Sequence, residues 1–165
     1  MNKLIGFGIA LITLVLSASA MALPDRVGDF GLMDSSGEFH QLSRYRHKEA
    51  LVLMSFDSSC SAINSSVASL EAMASQWNGQ GIAFALINSS AESNIEAIRS
   101  AKSALGSDLP LLLDDGQIVS ETLSLTKAGE IVVLDPERLT ILYRGPVTSA
   151  AATLSSELAG TVERT

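Results

Sequence analysis

The sequence predicts an α/β fold: a three-layer sandwich of helices around a mixed central β-sheet, with a hairpin at its amino-terminal edge. Two continuous apolar runs, 50–56 and 82–87, are typical of strands buried on both faces. Apolar residues recur at steps of three and four after each run, which indicates helices that pack back onto the sheet. Turn residues divide the segments 27–41 and 131–144, which indicates that each segment forms a hairpin. Because helix-connected strands run parallel and hairpin strands run antiparallel, the sheet is mixed.

The first helix is predicted to follow the run Ala50–Phe56, with Asp57, Ser58 or Ser59 as its N-cap. Its buried face consists of one stripe of apolar side chains, and Gly79 or Gly81 follows its end. The members of the stripe are Ile63, Val67, Leu70, Ala74 and Trp77.

The second helix is predicted to begin near Ser89 or Ser90 and to stop at Gly106. Its stripe consists of Ile95, Ile98, Lys102 and Leu105. The later segments are a connection at 109–113 that leads into the turn 114–116, a short helix at 117–124, strands at 131–134 and 140–144, and an alanine-rich terminal helix at 149–164.

Length and charge restrict the class of protein. A chain of 165 residues is the size of one ordinary domain. Its net charge of −7 disfavours nucleic acid and anionic membrane surfaces as partners. The single cysteine excludes an internal disulfide, a cysteine-based zinc site and a dithiol redox pair within the chain.

The first 22 residues have the pattern of a secretory signal peptide. Lys3 supplies the positive charge, residues 4–16 form an apolar stretch too short to span a bilayer comfortably, and small residues follow. Cleavage after Ala20 or Ala22 fits the small-residue pattern, and cleavage after Ala22 is preferred. We therefore expect an exported domain, 23–165, in the periplasm or outside the cell, with no membrane span once the signal is removed.

Cys60 is the candidate catalytic residue. It lies where a buried strand passes into a helix, and free backbone N–H groups at a helix start favour an anion such as a thiolate. Ser59 and Ser61 flank the thiol, and Asp57 opposes a thiolate by charge repulsion where the two side chains approach.

Five short motifs occur in a fixed order along the chain: Cys60-Ser61, Asn88-Ser89, Asp114-Asp115, Thr126 to Glu130 and Tyr143-Arg144-Gly145. In this order they resemble thioredoxin-fold redoxins of the alkyl hydroperoxide reductase/thiol-specific antioxidant type, and more closely the exported redoxin domains. The similarity spans 27–147, and it implies a thioredoxin-like fold and thiol-based redox chemistry.

Several positions depart from the pattern of these relatives. Ile63 stands where a dithiol thioredoxin has its second cysteine, so an external thiol must release any mixed disulfide at Cys60. Ser61 replaces the proline after the cysteine, and Gly129 replaces a cis-proline in the facing, substrate-aligning loop. A cis bond before glycine costs about 3–4 kcal/mol, so we expect a trans peptide and a remodelled loop lined by Ala128 and Gly129.

The peroxiredoxin signature is also incomplete, because Leu53 and Asp57 stand where it has proline and a hydroxyl residue. The two histidines, His40 and His47, are expected at the surface rather than in a metal site. Asp114-Asp115-Gly116 is expected to be a turn rather than a calcium loop. Neither a cofactor nor a metal ion is implied.

The leading hypothesis is therefore a thiol-disulfide oxidoreductase-type redoxin that works through one cysteine, with protein or small-molecule thiols and disulfides as partners. The first alternative is a catalytically inactive module that binds a polypeptide in the same groove. A peroxiredoxin-like antioxidant ranks third. The sequence leaves open whether Cys60 is reactive or inert, and the oligomeric state.

Overall fold

The structure, a computed structural model, describes residues 25–60, 62–88, 90 and 93–162, with the backbone alone described for residues 153 and 157–162. The expected signal peptide, Ser61 and Ser89 lie outside the described residues. The strands are β1 (Gly31–Asp34), β2 (Phe39–Gln41), β3 (Ala50–Phe56), β4 (Ile82–Asn88), β5 (Leu111–Leu113), β6 (Glu130–Asp135) and β7 (Thr140–Pro146). The helices are α1 (Ile63–Gln76), α2 (Ile95–Leu105), α3 (Ile118–Thr122) and α4 (Val147–Val162), and a 3₁₀ helix spans Leu42–Tyr45.

The seven strands form one mixed sheet in the order β2-β1-β5-β4-β3-β6-β7. Strands β3, β4 and β5 are parallel. The two hairpins complete the sheet, with β1 antiparallel to β5 and β6 antiparallel to β3. The predicted α/β architecture with a mixed sheet and an amino-terminal hairpin is confirmed.

Strand β3 divides the core because alternate side chains point to opposite faces. Val52, Met54 and Phe56 pack with the buried side chains of α1, α2 and α4. Leu51 and Leu53 pack on the other face with side chains of α3, the 3₁₀ helix and the amino-terminal segment. All seven residues of β3 are buried, as its continuous apolar sequence predicts.

The segment 109–113 differs from the prediction, because Leu111–Leu113 is a strand rather than a connection. Leu111 pairs with Leu86 in parallel, and Leu113 pairs with Met33 in the opposite direction. Three residues are too few to show an alternating pattern in a sequence. This short strand joins the amino-terminal hairpin to the rest of the sheet.

Both main helices begin later than the sequence predicts. The N-cap of α1 is Ala62, which makes no side-chain capping bond, so the prediction of a cap among residues 57–59 is wrong. The N-cap of α2 is Asn94, whose side chain accepts a hydrogen bond from the N–H of Ala97 at 2.9 Å. Serine, aspartate and asparagine are all favourable N-cap residues. When several of them occur in one segment, the sequence does not identify the one at which the helix begins.

Other details of the helix predictions are confirmed, although the short helix is confined to Ile118–Thr122 and the terminal helix, predicted at 149–164, begins at Val147 and has its last two predicted residues outside the described residues. Trp77 is buried at the end of the α1 stripe, and Gly106 ends α2 with a left-handed φ of 65°. Lys102 lies on the apolar stripe of α2, as predicted. Its ammonium group donates to the carbonyls of Ser107 and Leu109, and these bonds satisfy the charged group at this position. Burial lowers the pKa of Lys102 below its ordinary value. Among the described residues, no helix combines the length and apolar character needed to cross a bilayer.

Candidate active site

Cys60 lies in the loop that connects the central strand β3 to α1. The loop begins immediately after Phe56, at the carboxyl end of a strand that has neighbours on both sides. Cys60 precedes the α1 N-cap, Ala62, by two residues, so it lies just before the first turn rather than within it. Its side chain is half-buried and packs against the core cluster between the sheet and α1. Cys60 is therefore neither fully exposed nor fully buried.

Two successive turns hold the backbone at Cys60. Its N–H donates to the carbonyl of Asp57 at 3.1 Å, and its own carbonyl accepts from the N–H of Ile63 at 3.1 Å. The Asp57 carboxylate accepts from both the N–H and the hydroxyl of Ser59, each at 2.8 Å. Asp57 and Ser59 thus form a local turn before the helix, which explains why neither residue caps α1.

The loop before β6 lies next to this turn. The N–H of Gly129 donates to the carbonyl of Ser55 at 2.8 Å, which fixes the loop to the end of β3. Ala128 is partly buried against the same core cluster as Cys60. The structure therefore brings the two predicted loop residues and the thiol to one end of the sheet.

Gly129 is required at its position for two reasons. Its φ is +82°, a left-handed conformation that favours glycine. A Cβ atom there would lie 2.8 Å from Oγ of Ser66 and 3.2 Å from its Cβ. Every peptide bond among the described residues is trans, as expected for the bond before Gly129. The site where redoxins resembling this chain have proline is therefore adapted to close contact with α1.

A polar cavity of about 250 Å³ opens beside the two loops. The Asp57 turn contributes one wall, and residues 125–128, including Lys127, contribute another. Ser90 and Gln117 complete the lining from other loops. Sequence reasoning missed Lys127, Gln117 and Ser66, because their positions depend on which loops meet in the folded chain.

The histidine prediction is correct for His47, which is exposed, and wrong for His40. The side chain of His40 is 10% exposed. Its Nδ1 lies 2.6 Å from the hydroxyl of Tyr45, and its Nε2 lies 3.1 Å from Oδ2 of Asp34. The hairpin and the 3₁₀ helix enclose the imidazole from both sides, which a short polar sequence does not indicate.

The predicted turn at 114–116 is present. Asp114 is buried, and its carboxylate accepts from the N–H groups of Val119 and Ser120 at 3.3 and 2.7 Å. It therefore supports the start of α3 and the position of Gln117 beside the cavity.

No protein-family model matches the sequence, and no curated protein matches it. Solved structures do match. The chain is similar to an uncharacterized conserved protein from Geobacillus kaustophilus, with 22% identity and a TM-score of 0.73 over 86% of this chain and 85% of that one. It is similar to a protein of Chlorobium tepidum assigned as the thiol:disulfide interchange protein DsbE, with 13% identity, a TM-score of 0.71, and coverage of 84% of this chain and 99% of that one. It is also similar to the exposed lipoprotein thioredoxin Etrx1 of Streptococcus pneumoniae, with 21% identity, a TM-score of 0.66, and coverage of 78% and 99%. The chain has a thioredoxin-like fold.

Proposed function

We propose that this protein is an exported redoxin that carries out thiol-disulfide exchange through one cysteine, Cys60. The observation that carries the proposal is the position of Cys60, half-buried at the carboxyl end of β3 and immediately before α1. The facing loop at Ala128 and Gly129 gives a partner a second surface to contact. The thiol-disulfide interchange and thioredoxin proteins among the structural neighbours support the same chemistry.

Export follows from the proposed signal peptide, residues 1–22. Its removal would leave every described strand and helix intact, because the first of them begins at Gly31. An exported protein meets disulfides more often than a cytosolic one, since the compartments outside the cytosol are oxidising. Mass spectrometry of the protein recovered from the producing cells tests this part: a chain that begins at Leu23 is expected, and a full-length chain contradicts it.

The proposed reaction consists of two exchanges. The Cys60 thiolate attacks one sulfur of a partner disulfide, forms a mixed disulfide with it, and releases the other sulfur as a thiolate. An external thiolate then attacks the sulfur that the partner contributed, forms a new disulfide with it, and releases the Cys60 thiolate. Two bonds between sulfur atoms form and two break, so the protein is unchanged at the end.

An external thiol is needed because Cys60 has no partner thiol in the chain. Ile63, which stands where dithiol thioredoxins have the second cysteine, is buried in the core cluster, with 4% of its surface exposed. Its N–H donates to the carbonyl of Cys60, so the two residues are joined through the backbone. The buried Ile63 side chain supplies no second thiol, and we expect the partner to contact the facing loop instead.

Thiol labelling tests the proposal directly, because any label reports Cys60 alone. The purified mature chain is treated with oxidised glutathione, with and without denaturant, and its mass is followed with time. We expect one glutathionyl group to be added to the folded protein and to be removed by added dithiothreitol. The variant Cys60→Ser provides the background, and modification that requires denaturant contradicts the proposal.

Partner capture separates exchange from plain binding. Wild type is expected to trap partners in complexes that reducing agent dissolves, whereas Cys60→Ser is expected to trap none. Equal capture by both proteins would instead support the binding module. Rapid formation of a dimedone-reactive sulfenic acid with hydrogen peroxide would support the peroxidase, which the substitutions at Leu53 and Asp57 disfavour.

A further inference from the structure

A second cluster of polar side chains lies at the opposite edge of the sheet, in the amino-terminal hairpin. Asp34 ends β1, Glu38 lies in the turn, and His40 is in the middle of β2. One carboxylate oxygen from each acid and one imidazole nitrogen all lie within 4.8 Å of one another. Two carboxylates and an imidazole are a ligand set that divalent transition metals bind.

The separation of Asp34 from His40 suits two ligands of one metal ion. Oδ2 of Asp34 lies 3.1 Å from Nε2 of His40. Two atoms at about 2.1 Å from one ion are about 3.0 Å apart at a right angle and about 3.4 Å apart at a tetrahedral angle. An ion can therefore insert between these two atoms with little movement of either side chain.

Both atoms are held in place by bonds on their far sides. Oδ1 of Asp34 accepts from the N–H and hydroxyl of Ser36 and from the N–H of Glu38, at 2.7 to 2.9 Å, which leaves Oδ2 facing the imidazole. Nδ1 of His40 is bonded to the Tyr45 hydroxyl at 2.6 Å. Histidines that bind metals usually have such a partner on the second ring nitrogen, because it fixes the ring and its tautomer.

The charges at the cluster also favour a cation. Asp34 and Glu38 bring two carboxylates to the cluster. Glu38 is exposed, and one of its carboxylate oxygens lies within 4.8 Å of the ligand atoms of Asp34 and His40. The neighbouring Arg44 donates to the carbonyl of Phe39 and lies over the Phe39 ring, at 5.8 Å from its centroid.

We propose that Asp34, Glu38 and His40 form a binding site for one divalent transition-metal ion of the Zn²⁺ type. The ion has Oδ2 of Asp34, a carboxylate oxygen of Glu38 and Nε2 of His40 as protein ligands, and water completes its coordination. A cavity of about 210 Å³ bordered by Glu38 and His40 gives the ion access from solvent.

Binding requires one proton rearrangement in a neutral imidazole. Without metal, the proton on Nε2 is donated to Asp34, and Nδ1 accepts from the Tyr45 hydroxyl. With metal, Nε2 gives its lone pair to the ion, the ring proton lies on Nδ1, and the Tyr45 oxygen accepts it. The hydroxyl of Tyr45 fits both states, because it is able to donate and to accept.

The test is a calorimetric titration of the untagged mature chain with Zn²⁺, in a Cys60→Ser background so that no thiol binds the ion. One ion per chain is expected. Glu38→Gln and His40→Gln are each expected to weaken binding by about tenfold or more, whereas Mg²⁺ is expected not to bind. His47→Gln is the matched control, since His47 borders the same cavity but is outside the ligand set.

Proton NMR of the two imidazoles provides a second measurement. Zn²⁺ is expected to shift the ring signals of His40 and to leave those of His47 in place. Binding that survives both Glu38→Gln and His40→Gln, or that only His47→Gln weakens, overturns the proposal. Because Glu38 is exposed, Glu38→Gln remains informative if His40→Gln fails to fold. The Cys60→Ser background keeps this result independent of the thiol exchange.

Discussion

The tripeptide Asp-Ser-Ser occurs twice, at 34–36 after β1 and at 57–59 after β3, and it forms the same turn in both places. In each turn the aspartate carboxylate accepts from the N–H and the hydroxyl of the second serine. In each, the N–H of the following residue donates to the aspartate carbonyl, at 3.0 Å for Gly37 and 3.1 Å for Cys60. Identical local sequences thus give identical local structure.

The two turns differ at the fourth residue, and this residue determines the path of the chain beyond the turn. Gly37 has a φ of +93°, which reverses the chain into β2. Cys60 has no positive φ, and its carbonyl instead accepts from Ile63 as the chain enters α1. The first turn therefore closes a hairpin in which Asp34 is buried, and the second presents a half-buried thiol beside an open loop.

The two turns are also stabilised differently. The Asp34 carboxylate accepts further bonds from the N–H of Glu38 and from the His40 side chain. The strand end just before the Asp57 turn is instead joined to a neighbouring loop through a backbone bond, from the N–H of Gly129 to the carbonyl of Ser55. Backbone substitutions are therefore expected to act most strongly near Cys60, and side-chain truncations near the hairpin.

The largest expected effect is that of Gly129→Pro. Proline fixes φ near about −65°, whereas Gly129 has +82°, and it removes the N–H that bonds to Ser55. We expect a loss of about 3 kcal/mol or more in the free energy of unfolding, measured by urea denaturation. Stability equal to that of wild type would show that the loop rearranges freely.

Two alanine substitutions separate backbone strain from steric contact. Gly129→Ala and Gly37→Ala replace glycines with similar left-handed φ values, but a new Cβ has open space at Gly37 and meets Ser66 at Gly129. We expect a loss of about 1 kcal/mol for Gly37→Ala and a larger loss for Gly129→Ala. In a Ser66→Gly background, which removes the contact, Gly129→Ala is expected to cost less than it does in wild type, and an equal cost in both backgrounds would exclude the contact as the cause of the difference.

Asp34→Ala and Asp57→Ala remove the same residue type from the two turns. The difference between their losses in the free energy of unfolding is expected to be the next largest. The Asp34 side chain is 9% exposed and accepts four hydrogen bonds, so its removal leaves several partly buried donors without this acceptor. We expect a loss of about 2–3 kcal/mol for Asp34→Ala, and under about 1 kcal/mol for Asp57→Ala, whose donors reach water. Both are measured in urea with a chelator present, and equal losses would contradict the distinction between the two turns.

Tyr45→Phe is expected to have a smaller effect in the hairpin. It removes only the hydroxyl that bonds to Nδ1 of His40, and the ring still packs in the core cluster beneath the hairpin. We expect a loss of about 1 kcal/mol in the free energy of unfolding. Tyr143→Phe is the control, because its hydroxyl bonds to an exposed carbonyl, that of Pro146, and is expected to cost less.

The difference between the Cys60 region and the amino-terminal hairpin also explains which features the sequence could predict. The position of Cys60 was predictable because a buried apolar run ends next to it, and that pattern is local. The cluster around His40 was not, since it depends on the pairing of β1 with β2 and on the 3₁₀ helix that brings Tyr45 back. The trans peptide at Gly129 was predictable from its residue type, but the contact with Ser66 depends on where α1 begins.

The smallest expected effect is that of Asp29→Asn, and it depends on pH. The Asp29 carboxylate accepts from the N–H of Ser43 at 2.9 Å and from the Gln41 side chain at 2.6 Å, which joins the end of β2 to the 3₁₀ helix. Hydrogen bonding from the side chain of Ser43 is the main cause that holds the pKa of Asp29 below its ordinary value of 3.8, and the bonds from the Ser43 N–H and Gln41 lower it further. A carboxyl group whose pKa is lower in the folded state stabilises the fold at any pH above its unfolded pKa, and this contribution disappears as pH falls through the folded pKa. Urea midpoints of wild type and Asp29→Asn are therefore expected to differ slightly at pH 7 and to converge below pH 3.8. A difference that persists unchanged below pH 3.8 would show that the two hydrogen bonds contribute through their geometry and not through the charge of Asp29.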